Sequence, residues 1–256
     1  MVRKKASKIP HPNALQRIHG WWFFFLLGFG FIVLYPWFAV TLSHKKMYPA
    51  AHFGRKVWGW FLMTLSGLWL KVEFEEEFDP KKTYVIVANH TSYVDIPVIT
   101  CGLPGYVTFM AKAELERIPV FGRFFRTMDI GVDRKSPHNA AAAFKLANKR
   151  MQEDGTSIVI FPEGTIGTWV PDLGRFKDGP FKAAIASGAY VLPVTLPDNW
   201  IKVPEYGPFA ARPGKLRMYV HRPIAAAHLK PSDAEELKQN VFHIIETKLN
   251  EYASKR

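Results

Sequence analysis

The stretch Thr83-Tyr84-Val85-Ile86-Val87-Ala88-Asn89-His90-Thr91-Ser92-Tyr93-Val94-Asp95 decides the fold. Its first half is β-branched, aromatic or apolar at every position, with no polar alternation. A strand of that kind is buried on both faces, and such strands belong to sheets covered by helices on both sides. Similar runs return at 107–111, 156–161, 190–196 and 216–221, each bounded by turn residues. Helical stretches lie between them, so the chain from about residue 73 onward reads as an α/β domain.

The helices carry their own punctuation. Ser136 and Pro137 suit an N-cap and a first helical residue for the Ala-rich run to Glu153, and Gly155 sits where a C-terminal stop belongs. Gly188 has the same position after 181–187. Ser232 followed by Glu235 predicts a capping box for a last helix with Leu237, Val241, Ile244, Ile245 and Leu249 on one face. No internal repeat and no low-complexity linker interrupts the pattern.

Upstream the character differs. Residues 20–43 contain no charged side chain and run through Trp21-Trp22-Phe23-Phe24-Phe25-Leu26-Leu27 and Phe31-Ile32-Val33-Leu34. That length suffices to cross a hydrocarbon core of about 30 Å as a helix, kinked at Pro36. A second apolar stretch, 57–70, is short for a span and suits an interfacial helix. Lys and Arg on the two flanks nearly balance: Arg3, Lys4, Lys5, Lys8 and Arg17 against Lys45, Lys46, Arg55 and Lys56. The preferred reading is a helical hairpin dipping into one leaflet, with its basic residues against anionic lipid. The expected division is a membrane-anchoring segment at 1–72 and an α/β domain at 73–256.

The composition, 48% hydrophobic and 14% aromatic in 256 residues, excludes a disordered chain. A formal charge of +12 favours anionic partners such as lipid, a phosphorylated substrate or nucleic acid. One cysteine, Cys101, excludes an intramolecular disulfide and a thiolate zinc cluster, and the nine histidines show no metal-ligand spacing.

Chemistry concentrates after the first strand. On one continuous helix, residues five apart point about 140° apart, so His90 and Asp95 could not meet there. With a turn between strand and helix, Asp95 falls in the first helical turn and folds back toward His90. It would then accept the Nδ1 proton and leave Nε2 free to accept from a substrate hydroxyl. A second cluster, Phe161-Pro162-Glu163-Gly164-Thr165, also follows a buried strand, and its glycine permits close backbone approach. The basic stretch 112–135 carries Lys112, Arg117, Arg123, Arg126 and Arg134 among Phe121, Phe124 and Phe125; a solvated face, a nucleic-acid surface, a lipid-facing patch and a phosphate site all suit it.

Taken together and in this order, the segments resemble the 1-acylglycerol-3-phosphate acyltransferase family over about residues 20–225. Asn89, His90 and Asp95 match its first motif, Asp133 and Arg134 with the preceding Lys112 its second, Phe161 to Thr165 its third, and Leu192-Pro193-Val194 its fourth. The resemblance implies an α/β fold, a mixed sheet flanked by helices, with an N-terminal membrane-associated two-helix motif. It implies transfer of a fatty acyl chain from acyl-CoA or acyl carrier protein to a lysolipid, with no further cofactor and no metal. His90 would be the base and Asp95 its orienting partner, with Glu163, Gly164 and Thr165 shaping the substrate site. Lys112 and Arg134 would hold an acceptor phosphate. Cys101 suits a buried structural thiol rather than a nucleophile. The implied location is the inner, cytoplasmic membrane with the catalytic domain facing the cytoplasm.

Two positions depart from the family pattern: Ile166 stands where the third motif continues with arginine, and Met128 where the second opens with glycine. Phosphate recognition then falls to Arg175, Lys177 or Lys182, or the acceptor is another lysolipid such as a lyso-aminolipid. A membrane-bound thioesterase using the same His-Asp pair is the other alternative. A nucleic-acid-binding protein would account for the charge but has no need of the Phe-Pro-Glu-Gly-Thr segment, so nucleic acid is not an expected partner.

Overall fold

The computed structural model describes residues 12–133, 136–167, 169–205 and 210–254. Helices α1 (Ala14–Val33), α2 (Tyr35–Thr41) and α3 (Tyr48–Leu65) precede strands β1 (Leu68–Phe74) and β2 (Tyr84–Ala88). Then follow α4 (Asp95–Gly102), β3 (Val107–Lys112), α5 (Gly122–Arg126), β4 (Ile130–Val132), α6 (Pro137–Asp154) and β5 (Ser157–Ile160). The chain continues through α7 (Gly179–Ser187), β6 (Tyr190–Thr195), α8 (Asn199–Lys202), β7 (Gly214–Val220), β8 (Ile224–Ala225) and α9 (Ala234–Ser254).

The strands form one mixed sheet in the order β1-β7-β6-β2-β5-β3-β4, with β8 beside β6. All neighbouring pairs from β6 to β4 are parallel, as is β1 with β7, whereas β7 and β8 run antiparallel to β6. Every residue of β2 is buried, because alternate side chains enter two different cores. Tyr84, Ile86 and Ala88 pack toward α1, α3 and α4, and Val85 and Val87 toward α6, α7 and α9. The expected mixed sheet between helical layers is therefore found. The caps at Ser136, Gly155 and Gly188 are also as expected: Ser136 Oγ accepts from Asn139 N (3.3 Å), and both glycines are left-handed, at φ 61° and 70°.

Four expectations need correction. The apolar run 20–43 is not one helix; it breaks at Leu34 and bends by 52° into α2. No single helix among the described residues is long and apolar enough to cross a membrane, and only the bent α1–α2 pair meets that test. The run 57–70 is shared between the end of α3 and the start of β1, so the boundary placed after residue 72 falls inside a strand of the sheet. The Ser232–Glu235 capping box expected for α9 does not form: Ser232 Oγ donates to Asp233 (2.9 Å), Asp233 closes the short turn before α9 by accepting from Lys230 N (2.8 Å), and Glu235 turns to Lys238 and Gln239.

The fourth correction concerns the basic flank. Arg55 and Lys56 do not face lipid headgroups, since Lys56 Nζ donates to Leu103 O (2.8 Å) and Arg55 is 3% exposed. The Arg55 guanidinium bonds both oxygens of Asp129 (2.8 and 3.1 Å) and Val107 O (2.8 Å), and lies over the Phe109 ring. Burial raises the Asp129 carboxyl above its ordinary range, while the Arg55 charge pulls it back down. Burial, then the charge of Arg55, pushes His52 down to about 2, so its neutral Nδ1 can accept from Arg55 Nη2 (3.1 Å). Arg3, Lys4, Lys5 and Lys8 lie outside the described residues.

This buried pair locks α3 to the sheet beside one continuous apolar core that includes Phe23, Leu26, Trp58, Ile86 and Val98. Arg55→Met is expected to cost about 3–5 kcal/mol by stranding Asp129, and Arg55→Met with Asp129→Leu to recover part of that loss. Thermal unfolding of the detergent-solubilised protein reads both; an unchanged melting temperature for the single variant would show that the pair does not hold the helices.

Candidate functional site

Because β2, β5, β3, β4 and β6 run parallel, their carboxyl ends share one edge of the sheet, where α/β folds gather functional loops. The segments after β2, β5 and β6 converge there. Asn89 ties the first to the last: its side chain donates to Leu196 O (3.0 Å) and accepts from Leu196 N (2.8 Å). Ser92 Oγ adds a second tie by donating to Val203 O (2.6 Å).

Asp95 opens α4 and is fully buried. Its Oδ2 accepts from Thr91 N (2.7 Å), Ser92 N (2.9 Å) and His90 Nδ1 (2.8 Å), while Oδ1 accepts from Asn199 Nδ2 (2.7 Å). The carboxylate thus reaches back over the turn as the third residue of a capping box does. An ionised carboxylate only accepts, which fixes the proton of neutral His90 on Nδ1 and leaves Nε2 as an acceptor. The imidazole is 16% exposed, and its face stacks on Phe161 at 3.9 Å between centroids and 13° between planes. The contact expected between His90 and Asp95 is present.

Glu163 is 5% exposed, and its carboxylate is turned inward. Oε1 accepts from His90 N (2.8 Å); Oε2 accepts from Gly174 N (2.9 Å) and from the Trp169 indole. Burial raises this carboxyl above its ordinary range, against the pull of those three donors. Glu163 therefore braces the backbone under His90 and ties it to the loop carrying Arg175 and Lys177. Gly164 has φ 78°, and a Cβ there would come within 2.8 Å of Lys177 Nζ, so the ammonium lies directly over the turn.

The other expected site residues are less closely gathered. Thr165 is exposed, its hydroxyl 3.4 Å from Ile166 O. Arg175 and Lys177 are exposed on either side of buried Phe176. Lys112 ends β3, two strands or about 10 Å from β2, and pairs with Glu114 (3.2 Å). Arg134 lies outside the described residues. Met128 is buried, and its carbonyl accepts from Arg150 and Thr108. Burial pushes the Cys101 thiol up to about 12, so it stays protonated.

Sequence reasoning missed Trp169, Gly174, Asn199 and Glu205. Tyr93 OH donates to Glu205 Oε1 (3.3 Å), the other oxygen of Glu205 is buried without a partner, and this carboxylate lies within electrostatic reach of His90 and Asp95. Among the described residues no His/Cys/Asp/Glu group forms a metal site.

The family model described as Acyltransferase matches residues 69–197, half of the chain. A 1-acyl-sn-glycerol-3-phosphate acyltransferase of Borreliella burgdorferi is 38% identical over 135 residues, 52% of each protein. An algal protein of that name from Chlamydomonas reinhardtii is 28% identical over 86% of this chain and 67% of its own length. The crystal structure of the 1-acyl-sn-glycerophosphate acyltransferase PlsC from Thermotoga maritima superposes with a TM-score of 0.74 at 24% identity, covering 94% of this chain and 96% of that one. The alignments with the first curated relatives span about half of those relatives' length.

Glu163→Gln would turn an amide N–H toward one or two of the N–H donors that now bond a carboxylate. The expected cost is about 1–3 kcal/mol in unfolding free energy. Denaturant unfolding measures it, and a variant as stable as the parent would show that Glu163 does not brace the loop.

Proposed function

The chain belongs to the acyltransferase family, and from that premise we propose that it transfers a fatty acyl group from acyl-CoA or acyl carrier protein to the free hydroxyl of a lysolipid. The favoured acceptor is 1-acyl-glycerol-3-phosphate, giving phosphatidate. The observation that carries this reading is the 2.8 Å contact between His90 Nδ1 and buried Asp95, which leaves Nε2 free at the partly open side of the ring. Nε2 takes the acceptor's hydroxyl proton as the oxygen attacks the thioester carbonyl, and the imidazolium is stabilised by Asp95. Collapse of the tetrahedral intermediate expels the thiolate, which takes that proton from His90. No acyl-enzyme is required.

The relatives' names support the phosphate-bearing acceptor, and so do the exposed cations at Arg175 and Lys177, the latter over Gly164. Positive charge there suits a phosphate or the developing oxyanion. A lysolipid with an amino head group is the second reading. It is favoured by Glu205, a carboxylate with one unpaired oxygen within electrostatic reach of His90, together with Ile166 in place of a cation.

The proposed location is the cytoplasmic face of the inner membrane, with α1 to α3 dipping into one leaflet. Ile18 (66% exposed), Phe25 (55%), Ile32 (65%) and Phe53 (62%) are large apolar side chains left in water unless a lipid surface covers them. Ile18→Ser and Ile32→Ser are each expected to lower partition onto phospholipid vesicles by about tenfold or more, read by co-sedimentation. Unchanged binding would remove this face from the membrane contact.

The deciding experiment offers acyl-CoA and acyl carrier protein as donors to lysophosphatidate, neutral lysophospholipids and lyso-aminolipids, with products identified by mass spectrometry. Transfer to lysophosphatidate that His90→Ala abolishes, while Cys101→Ala retains it, is the expected result. Preference for an amino acceptor overturns the substrate; thioester hydrolysis that no lysolipid accelerates overturns transfer itself.

A further inference from the structure

Asn199 lies just past the family match, on the four-residue helix α8, and its side chain is fully buried. An ionised carboxylate offers no proton, so the amide must turn its NH2 toward Asp95 Oδ1, 2.7 Å away. Its own oxygen then has no hydrogen-bond partner. A buried amide that leaves its acceptor unpaired so that its donor can reach one carboxylate oxygen gains little stability from the arrangement.

The residues around it hold that orientation. Asp198, immediately before Asn199, takes a bidentate bond from Arg217 of β7 (2.6 Å to each oxygen), and its carbonyl caps α8 at Ile201 N (2.9 Å). The Arg217 guanidinium in turn lies over the Tyr252 ring of α9, 4.3 Å from its centroid. At the other end of α8, Val203 O receives Ser92 Oγ. The chain of contacts therefore runs from α9 and β7 through α8 to Asp95 and on to His90.

We propose that Asn199 is a positioning residue of the acyl-transfer site: it occupies the one oxygen of Asp95 that His90 does not use, and so fixes where that carboxylate's charge is directed. This rests on the transfer reading above. With Oδ1 taken, Oδ2 is the only oxygen that can follow the imidazole as it gains a proton. Without Asn199, Oδ2 keeps its bonds from Thr91 N and Ser92 N, but Oδ1 opens to water and the carboxylate can tilt, so that the orientation and tautomer of His90 are held less firmly. The other ionisable groups that interact with this site are Glu163, which acts on His90, and Glu205, which acts on both His90 and Asp95.

Two substitutions test it in the full-length, detergent-solubilised protein. Asn199→Leu removes the donor at similar size and is expected to lower kcat about ten- to a hundredfold, the worth of a hydrogen bond to a charged group, with little change in either KM. Asn199→Asp is nearly isosteric. Its carboxyl, when protonated, can donate to Asp95 as the amide does; once ionised, it faces Asp95 with like charge. Activity in this variant is expected to survive at acid pH and to fall along a new alkaline limb that the parent lacks. A merely structural role would lower stability and leave the shape of the pH profile unchanged.

The second readout needs no turnover. In protein labelled with 15N-histidine, with His90 assigned by its absence in His90→Ala, the parent is expected to show the Nδ1-protonated tautomer and Asn199→Leu a mixture. A parental tautomer in Asn199→Leu, or parental kcat and pH profile in both variants, overturns the proposal. If the parent itself transfers no acyl group, the functional reading fails, and the tautomer measurement still decides the role of Asn199.

Discussion

A buried carboxylate has to be satisfied, and the site is organised around that constraint at Asp95. Leaving such a charge unpaired away from water costs several kcal/mol. Here its donors come from its own turn, from His90 and from α8, 104 residues away in sequence. They meet only when the segments after β2 and β6 are in register. Asn89 and Ser92 make the same connection through backbone groups of Leu196 and Val203. Correct folding and correct orientation of His90 are therefore one event, not two.

Glu163 solves a related problem from the other side. Its carboxylate is directed away from solvent and used up on backbone and indole N–H groups. With Phe161 stacked against the ring, the imidazole is held from below by the third motif and from its edge by the first. The two acidic residues of these motifs differ in kind. Asp95 touches the proposed base, whereas Glu163 fixes the peptide that carries it.

The N-terminal helices belong to this arrangement more closely than an anchor on a linker would. They share the core under β2, and Phe24 of α1 meets Tyr93, within the His90–Asp95 turn, edge-on at 5.8 Å between centroids. The apolar face proposed to enter the leaflet is thus held rigidly relative to His90.

How legible all this was depends on sequence distance. The strands of the sheet centre stand out because burial on both faces leaves unbroken apolar runs. β1 does not, since this edge strand carries Lys71 and Glu73 and follows a helix just as apolar. The His90–Asp95 contact spans five residues, and the geometry of a strand-to-helix turn is enough to foresee it. Arg55 reads as a headgroup-facing cation because its partner Asp129 is 74 residues away, and nothing local distinguishes a buried guanidinium from a solvated one. Asn199 is hidden more thoroughly: Pro197-Asp198-Asn199 after a strand reads as an ordinary turn, and only the tertiary fold turns that amide toward a carboxylate. The groups proposed to meet substrate must lie on short loops at strand ends, where local patterns expose them. The groups that hold these in place are recruited from wherever the fold brings a donor, and so leave no local trace.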